Sequence, residues 1–156
     1  MIKKMSIFGI GPLWTLISTI YAVLIIRIHY FYFPFEFIIF LKQINMILGI
    51  ILIVMGVFIW IYSLIYLKKH FKKEQLCTTG FNKYVRHPIY ASWILLTVPG
   101  IILLWDSVLG ITIPFFMYLI FRILISKEEN YLSEKFGKKY TEYKIKTGNI
   151  FPYINF

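Results

Sequence analysis

Two short polar segments in an otherwise apolar chain carry side chains suited to chemistry. One is Arg86-His87-Pro88-Ile89-Tyr90 and the other is the acidic pair Glu128-Glu129. Pro88 pushes His87 out of the helical region and itself suits the first helical position. A helix beginning there turns free N–H groups towards an anion such as a ligand carboxylate, with Arg86 and His87 beside it. The same two side chains also fit a plainer role as interfacial groups that keep their polar ends in water. Glu128 and Glu129 lie about 100° apart around a helix, so at most one faces a pocket while the other meets water or a lysine. Such a pair can bind ribose hydroxyls or a cation, accept a proton, or occupy ordinary mid-helix positions. Cys77 has no CxxC partner and His29, His70 and His87 are scattered, so no metal site is implied. Its thiol, just past a lysine cluster, is either reactive or a small buried filler.

The elements that must position these groups are membrane helices. The chain of 156 residues has room for one domain, 1–156, with two spans in 1–67 and a loop, a helical hairpin and a C-terminal helix in 68–156. Apolar residues make up 59% of it, above the roughly half of a soluble chain, and mean hydropathy is +0.72. Four stretches, 8–26, 44–67, 89–105 and 108–125, approach the roughly 20 apolar residues that cross a bilayer core. The expected fold is all-α and integral to the membrane, with about four transmembrane helices. The opening Met-Ile-Lys-Lys and apolar run outlast a signal peptide and lack its cleavage site, so they read as a retained span. Gly49 and Gly56 share one face of the second span and suit close packing. The third and fourth spans, joined at Asp106 and Ser107, form an antiparallel hairpin, with Pro99-Gly100 bending the third and Pro114 interrupting the fourth. That hairpin brings 78–90 and 127–129 to a similar depth, forming a polar pocket at the bilayer edge.

Charge sets the expected orientation. The net charge is +10, and Lys68, Lys69, Lys72, Lys73, Lys83 and Arg86 crowd the loop between spans two and three. Lysines also follow the fourth span and open the chain, whereas the hairpin turn carries only Asp106. Both termini and the pocket are therefore expected on the cytoplasmic side, with the nearly neutral first connection, holding Arg27, Glu36 and Lys42, at the outer interface. Residues 126–146 read as one further helix, supported by Glu134 with Lys138 and Glu142 with Lys146. Its apolar stripe of Leu132, Phe136, Tyr140 and Tyr143 should fold back onto the cytoplasmic membrane face. Basic clusters that flank apolar spans speak against nucleic acid as a partner. A lipid-binding scaffold explains the charge but not the paired polar blocks. Ion transport lacks the ionisable groups it needs in the middles of the spans.

The two blocks resemble the isoprenylcysteine carboxyl methyltransferases and their relatives among the phospholipid methyltransferases. Thr79-Gly80 with Tyr84-Val85-Arg86-His87-Pro88-Ile89-Tyr90 is similar to that family's T-G-x-Y…R-H-P-x-Y. Glu128-Glu129…Leu132…Phe136-Gly137…Tyr140…Tyr143 is similar to its E-E-x-x-L…F-G-x-x-Y-x-x-Y, and Thr147-Gly148 with Phe151-Pro152 to a loosened ending. The likeness covers most of the C-terminal half. It implies an S-adenosylmethionine-dependent methyltransferase acting on a lipid-like acceptor in the bilayer. The implied cofactor contacts are Glu74, Gln75, Leu76, Cys77, Asn82, His87, Pro88, Ile89, Tyr90 and Glu128, and Arg86, Glu128, Glu129 and Arg122 are the implied catalytic groups.

The chain departs from the pattern at three places: Glu74 replaces a histidine, Asn82 replaces a tyrosine, and Leu124 stands where the acceptor arginine is usual, with Arg122 two residues earlier. Two residues are about 200° of helix rotation, which turns Arg122 away from the pocket. A carboxylate acceptor is already ionised and needs only a cation, whereas an ammonium must first lose a proton. The resemblance puts the carboxylate of an isoprenylcysteine-type substrate first and a phospholipid or other lipid amine second. Oligomeric state has no signal in the sequence.

Overall fold

The computed structural model describes residues 9–32 and 42–152. Four of its helical stretches are long and apolar enough to cross a membrane. Helix α1 (Gly11–Tyr32) is the first and α2 (Lys42–Lys72) the second. The third span, Pro88–Trp105, joins α3 (Pro88–Ser92), a π-helical turn at Trp93–Thr97 and α4 (Val98–Trp105). The fourth, Leu109–Phe136, opens with one 3-10 turn and continues as α5 (Thr112–Phe136), after which α6 (Lys138–Lys146) follows Gly137. No strand occurs among the described residues. This is the all-α integral membrane fold expected from the sequence. Lys3, Lys4 and Glu36, used in the orientation argument, lie outside the described residues.

Packing follows the glycines. In lipid there is little hydrophobic gain in helix association, so close van der Waals contact between backbones matters most. A Cβ on Gly49 would lie 2.8 Å from the Gly100 carbonyl oxygen, and one on Gly56 would lie 2.3 Å from Thr97 Oγ1. Helix α2 thus seats on α4 and the π turn at the two glycines expected to pack, while α1 packs chiefly on α5. The space left between α1 and α2 becomes a cavity described below.

The irregularity expected at Pro99-Gly100 takes the form of the π-helical turn just before it. Pro99 has no N–H and its ring crowds the carbonyl one turn back, and a wider turn relieves both. Thr97 Oγ1 donates to the Ser92 carbonyl at 3.1 Å within that turn. The hairpin turn also forms as expected: Asp106 adopts a left-handed conformation (φ 55°), and Ser107 Oγ accepts from the Gly110 amide at 3.1 Å. His29 Nδ1 lies 3.1 Å from the same Ser107 Oγ, tying the end of α1 to this turn.

The C-terminal helix differs from its prediction. Instead of one helix over 126–146, α5 runs without interruption from the apolar span to Phe136, and Gly137 at φ 54° ends it. Glycine adopts that conformation without a Cβ penalty, and its amide closes the last turn on the Ser133 carbonyl at 2.8 Å. The break separates Glu134 from Lys138. It also leaves Glu128 and Glu129 deep within a continuous helix, where an acidic pair opposes no helix end.

Candidate functional site

The loop before α3 is held by chain more than sixty residues further on. Arg86 N–H donates to the Gly148 carbonyl at 2.8 Å and His87 N–H to that of Asn149 at 3.0 Å, within an isolated parallel bridge between Val85 and Gly148. Asn82 reinforces the loop: its Nδ2 donates to the Arg86 carbonyl at 3.0 Å, and its own carbonyl accepts from Tyr143 Oη at 2.6 Å. Burial pushes the Tyr143 phenol up to about 12. Cys77, buried, sets its thiol 3.5 Å from Asn82 Oδ1, and burial raises its pKa. The buried-filler reading of this cysteine accords with that setting.

Arg86 is a strut. Its Nε and Nη2 reach Glu129 Oε1 at 3.0 and 2.9 Å, and Nη1 donates to the carbonyls of Lys144 (3.0 Å) and Thr147. Lys144 Nζ covers the other oxygen of Glu129 at 2.7 Å. The guanidinium fork so joins α3's leading loop, α5 and the end of α6, a geometry that a lysine could not reproduce. Glu129 is the member of the acidic pair that meets a lysine, as the helical rotation required.

His87 stands between the two carboxylates, Nδ1 at 3.6 Å from Glu128 Oε1 and Nε2 at 3.6 Å from Glu129 Oε1. Burial pushes its pKa down, but the two flanking carboxylates push it up by more, so it lies above the ordinary histidine value. Glu128 in turn is gripped from above: Oε2 accepts from the Ile10 amide and from Tyr90 Oη, both at 3.3 Å. Gly9, at φ 51°, lets the start of α1 descend onto this carboxylate, since a Cβ there would fall 2.2 Å from Glu128 Oε2. Tyr90 is fixed by Trp14, ring centroids 5.1 Å apart and edge-on, and Trp14 Nε1 donates to the Met117 carbonyl at 2.9 Å.

Two cavities meet here. A smaller one of about 100 Å³, mixed in lining and termed the polar cavity for its charged and hydroxyl groups, is bordered by Glu74, Gln75, Leu76, Cys77, Tyr140 and Tyr143, among others. An apolar chamber of about 990 Å³ lies between α1, α2 and the third span, with Pro88, Ile89, Tyr90 and all four tryptophans in its wall. Asn82, Arg86, His87, Glu128 and Leu67 border both. Of the predicted cofactor contacts, Glu74, Gln75, Leu76, Cys77, Asn82, His87 and Glu128 line the polar cavity, whereas Pro88, Ile89 and Tyr90 line only the apolar chamber. Among the predicted catalytic groups, Arg86 and Glu128 border both cavities, Glu129 sits behind them against Arg86, and Arg122 is exposed and borders neither. The stripe of Leu132, Phe136, Tyr140 and Tyr143, assigned from the sequence to the membrane face, lines the polar cavity. Gly9, Ile10, Trp14 and Lys144 went unnoticed in the sequence. Only their place in space gives them a part, and neither a glycine before a helix nor a lysine in a lysine-rich tail stands out by type or spacing.

The chain belongs to the phospholipid methyltransferase family, which it matches over residues 44–139. It is similar to protein-S-isoprenylcysteine O-methyltransferase B of Arabidopsis thaliana, 28% identical over 82 residues, which are 53% of this chain and 42% of the relative. The protein-S-isoprenylcysteine O-methyltransferases of Dictyostelium discoideum (35% over 69 residues; 44% of this chain, 29% of the relative) and Homo sapiens (29% over 79 residues; 51% and 28%) are also similar. The matched part spans less than half the length of each of these relatives. No solved structure matches the chain.

Proposed function

We propose that the protein transfers a methyl group from S-adenosylmethionine to the nitrogen of a lipid amine, where the polar cavity meets the apolar chamber. The observation that carries this reading is the position of Glu128, whose carboxylate borders both spaces. The arginine beside it is committed to Glu129, and Arg122 lies outside both cavities. Bound in the polar cavity, S-adenosylmethionine supplies a methyl group activated by a sulfonium.

The polar lining suits such a cationic, hydroxyl-bearing ligand. The Tyr140 hydroxyl is buried with no partner among the described residues, and Glu74, Gln75, Asn82 and Glu128 offer acceptors for amine and hydroxyl hydrogens. Phe71 and Phe136 add apolar faces. A partly open volume of about 100 Å³ takes part of the ligand, and the exposed Glu74 and Gln75 border the rest of its path. In the chamber, the wall from Gly11 to Ile26 extends about 22 Å along α1, the length of a long hydrocarbon chain. Glu128 holds the acceptor's ammonium and takes its proton, leaving a neutral nitrogen to attack. His87 and the Arg86–Glu129 strut keep that carboxylate in place, and the apolar walls exclude water. The lysine-rich end faces the cytoplasm, and the chain works as one domain whose first two spans supply half of the chamber wall.

The names of the curated relatives favour a second reading, a carboxylate acceptor. In that case His87 is the cation that holds it. Calorimetric titration of the detergent-purified protein with S-adenosylmethionine, displaced by S-adenosylhomocysteine, tests the cofactor. Methyl transfer to phosphatidylethanolamine against a prenylcysteine acid then tests the acceptor. Glu128→Gln, which retains one acceptor oxygen for the cofactor, is expected to weaken cofactor binding far less than the loss, on the order of a hundredfold, in transfer to the amine. Absence of cofactor binding by folded protein, with and without lipid, overturns the proposal.

A further inference from the structure

The apolar chamber has a polar feature that the family likeness does not account for. Ser18 of α1 and Ser63 of α2 line it, are only 5% and 1% exposed, and their hydroxyl oxygens have no hydrogen-bond partner among the described residues. Helical serines ordinarily bond back to their own helix or face water. A buried hydroxyl without a partner is costly, and most such groups in folded proteins are satisfied by something. Both residues border one ligand-sized space from the two helices that frame it, and although neither hydroxyl oxygen is itself exposed there, rotation of the side chain about Cα–Cβ turns it towards an oxygen on the occupant.

Depth identifies which oxygen. Leu67 borders both cavities, and Ser63 is one turn of α2 below it, about 6 Å. On the other wall, Ile10 touches Glu128 and Ser18 lies eight residues along, about 12 Å. The hydroxyls therefore sit roughly 6 to 12 Å into the chamber from the reacting end. In an ethanolamine glycerolipid the amine and the ester carbonyls are about nine bonds apart, or roughly 10 Å at the extension of a stretched chain. An uninterrupted hydrocarbon tail would place only CH groups there.

Resting on the reading of this chamber as the acceptor's tail site, we propose that Ser18 and Ser63 form a hydrogen-bonding subsite for the ester carbonyls of an acyl lipid. They are specificity-determining residues that distinguish an ester-linked tail from plain hydrocarbon. Because all four tryptophans line the chamber, intrinsic fluorescence reports its occupancy without any turnover.

The test titrates detergent-purified protein with dioleoyl phosphatidylethanolamine and with its di-O-oleyl ether counterpart, which shares headgroup and chain length but lacks the carbonyls. Wild-type protein is expected to bind the diester roughly threefold to tenfold more tightly for each carbonyl engaged. In Ser18→Ala/Ser63→Ala that preference is expected to vanish while affinity for the diether is retained. Equal binding of both lipids by wild-type protein overturns the subsite and leaves the tail site standing. Failure of either lipid to change the fluorescence of folded protein overturns the tail site and the subsite together.

Discussion

At the scale of single residues, the site is an exchange of roles between neighbours. Glu129 is neutralised by Arg86 and Lys144 so that Glu128, one position earlier, can face the cavities. Removing the guanidinium leaves a largely buried carboxylate short of a partner, so Arg86→Ala is expected to cost about 3 kcal/mol in unfolding experiments. Arg86→Lys should recover little of it, because the fork also serves the Lys144 and Thr147 carbonyls. Denaturant melts in a fixed detergent check both. His87 yields a pH dependence with a definite sign. Its folded pKa is raised above the ordinary histidine value of about 6.5, so its contribution to stability is complete below about 6.5 and is lost as pH rises through the folded value. The melting temperature of wild type minus that of His87→Gln should therefore shrink on going from pH 6 to above that value; a gap that widens with pH would refute the assignment. The residue types around the site were legible in the sequence, but their partners were not. Arg86 read equally well as an anion ligand, and only the carbonyls at Lys144 and Thr147, some sixty residues away, make it a strut.

Elements were the most legible scale, because length and apolarity act locally. All four spans and the packing face of Gly49 and Gly56 followed from spacing alone. Replacing Gly56 forces the new Cβ against Thr97 Oγ1 and the Thr97 amide nitrogen, at 2.3 and 2.9 Å. Since that neighbour is partly backbone, Gly56→Ala is expected to destabilise by about 1–3 kcal/mol. Val54→Ala on an exposed face of α2 should change stability by less than about 0.5 kcal/mol, and thermal melts of the two variants side by side decide it. The tail was misread at this scale. Periodicity ran through residue 137 because the stripe of Leu132, Phe136, Tyr140 and Tyr143 continues across it, yet a single glycine at positive φ divides the helix. Hydrophobic spacing records which side chains share a neighbour. Whether that neighbour is lipid or a cavity wall depends on tertiary structure, which is why a stripe read as membrane-facing lines the polar space.

For the whole molecule, the sequence foretold a hairpin bringing two polar blocks together and marked Thr147-Gly148 as part of a motif, but not that this segment and the start of α1 close the site from opposite sides. Both closures use backbone amides and carbonyls, which every residue possesses and no residue type advertises. Truncation after Lys146 is expected to leave the helical content of the spans intact by circular dichroism while markedly weakening cofactor binding in calorimetry. Unaltered binding by the truncated protein would show that the bridge at Val85 and Gly148 is dispensable. That bridge also imposes an order on biosynthesis. Arg86 and His87 leave the ribosome long before Gly148 and Asn149, so during translation the spans can enter the bilayer while the amides of this loop still bond to water. Completion of the site waits on residues made after the last span, and a nascent protein whose earlier spans are already anchored is still without its paired loop.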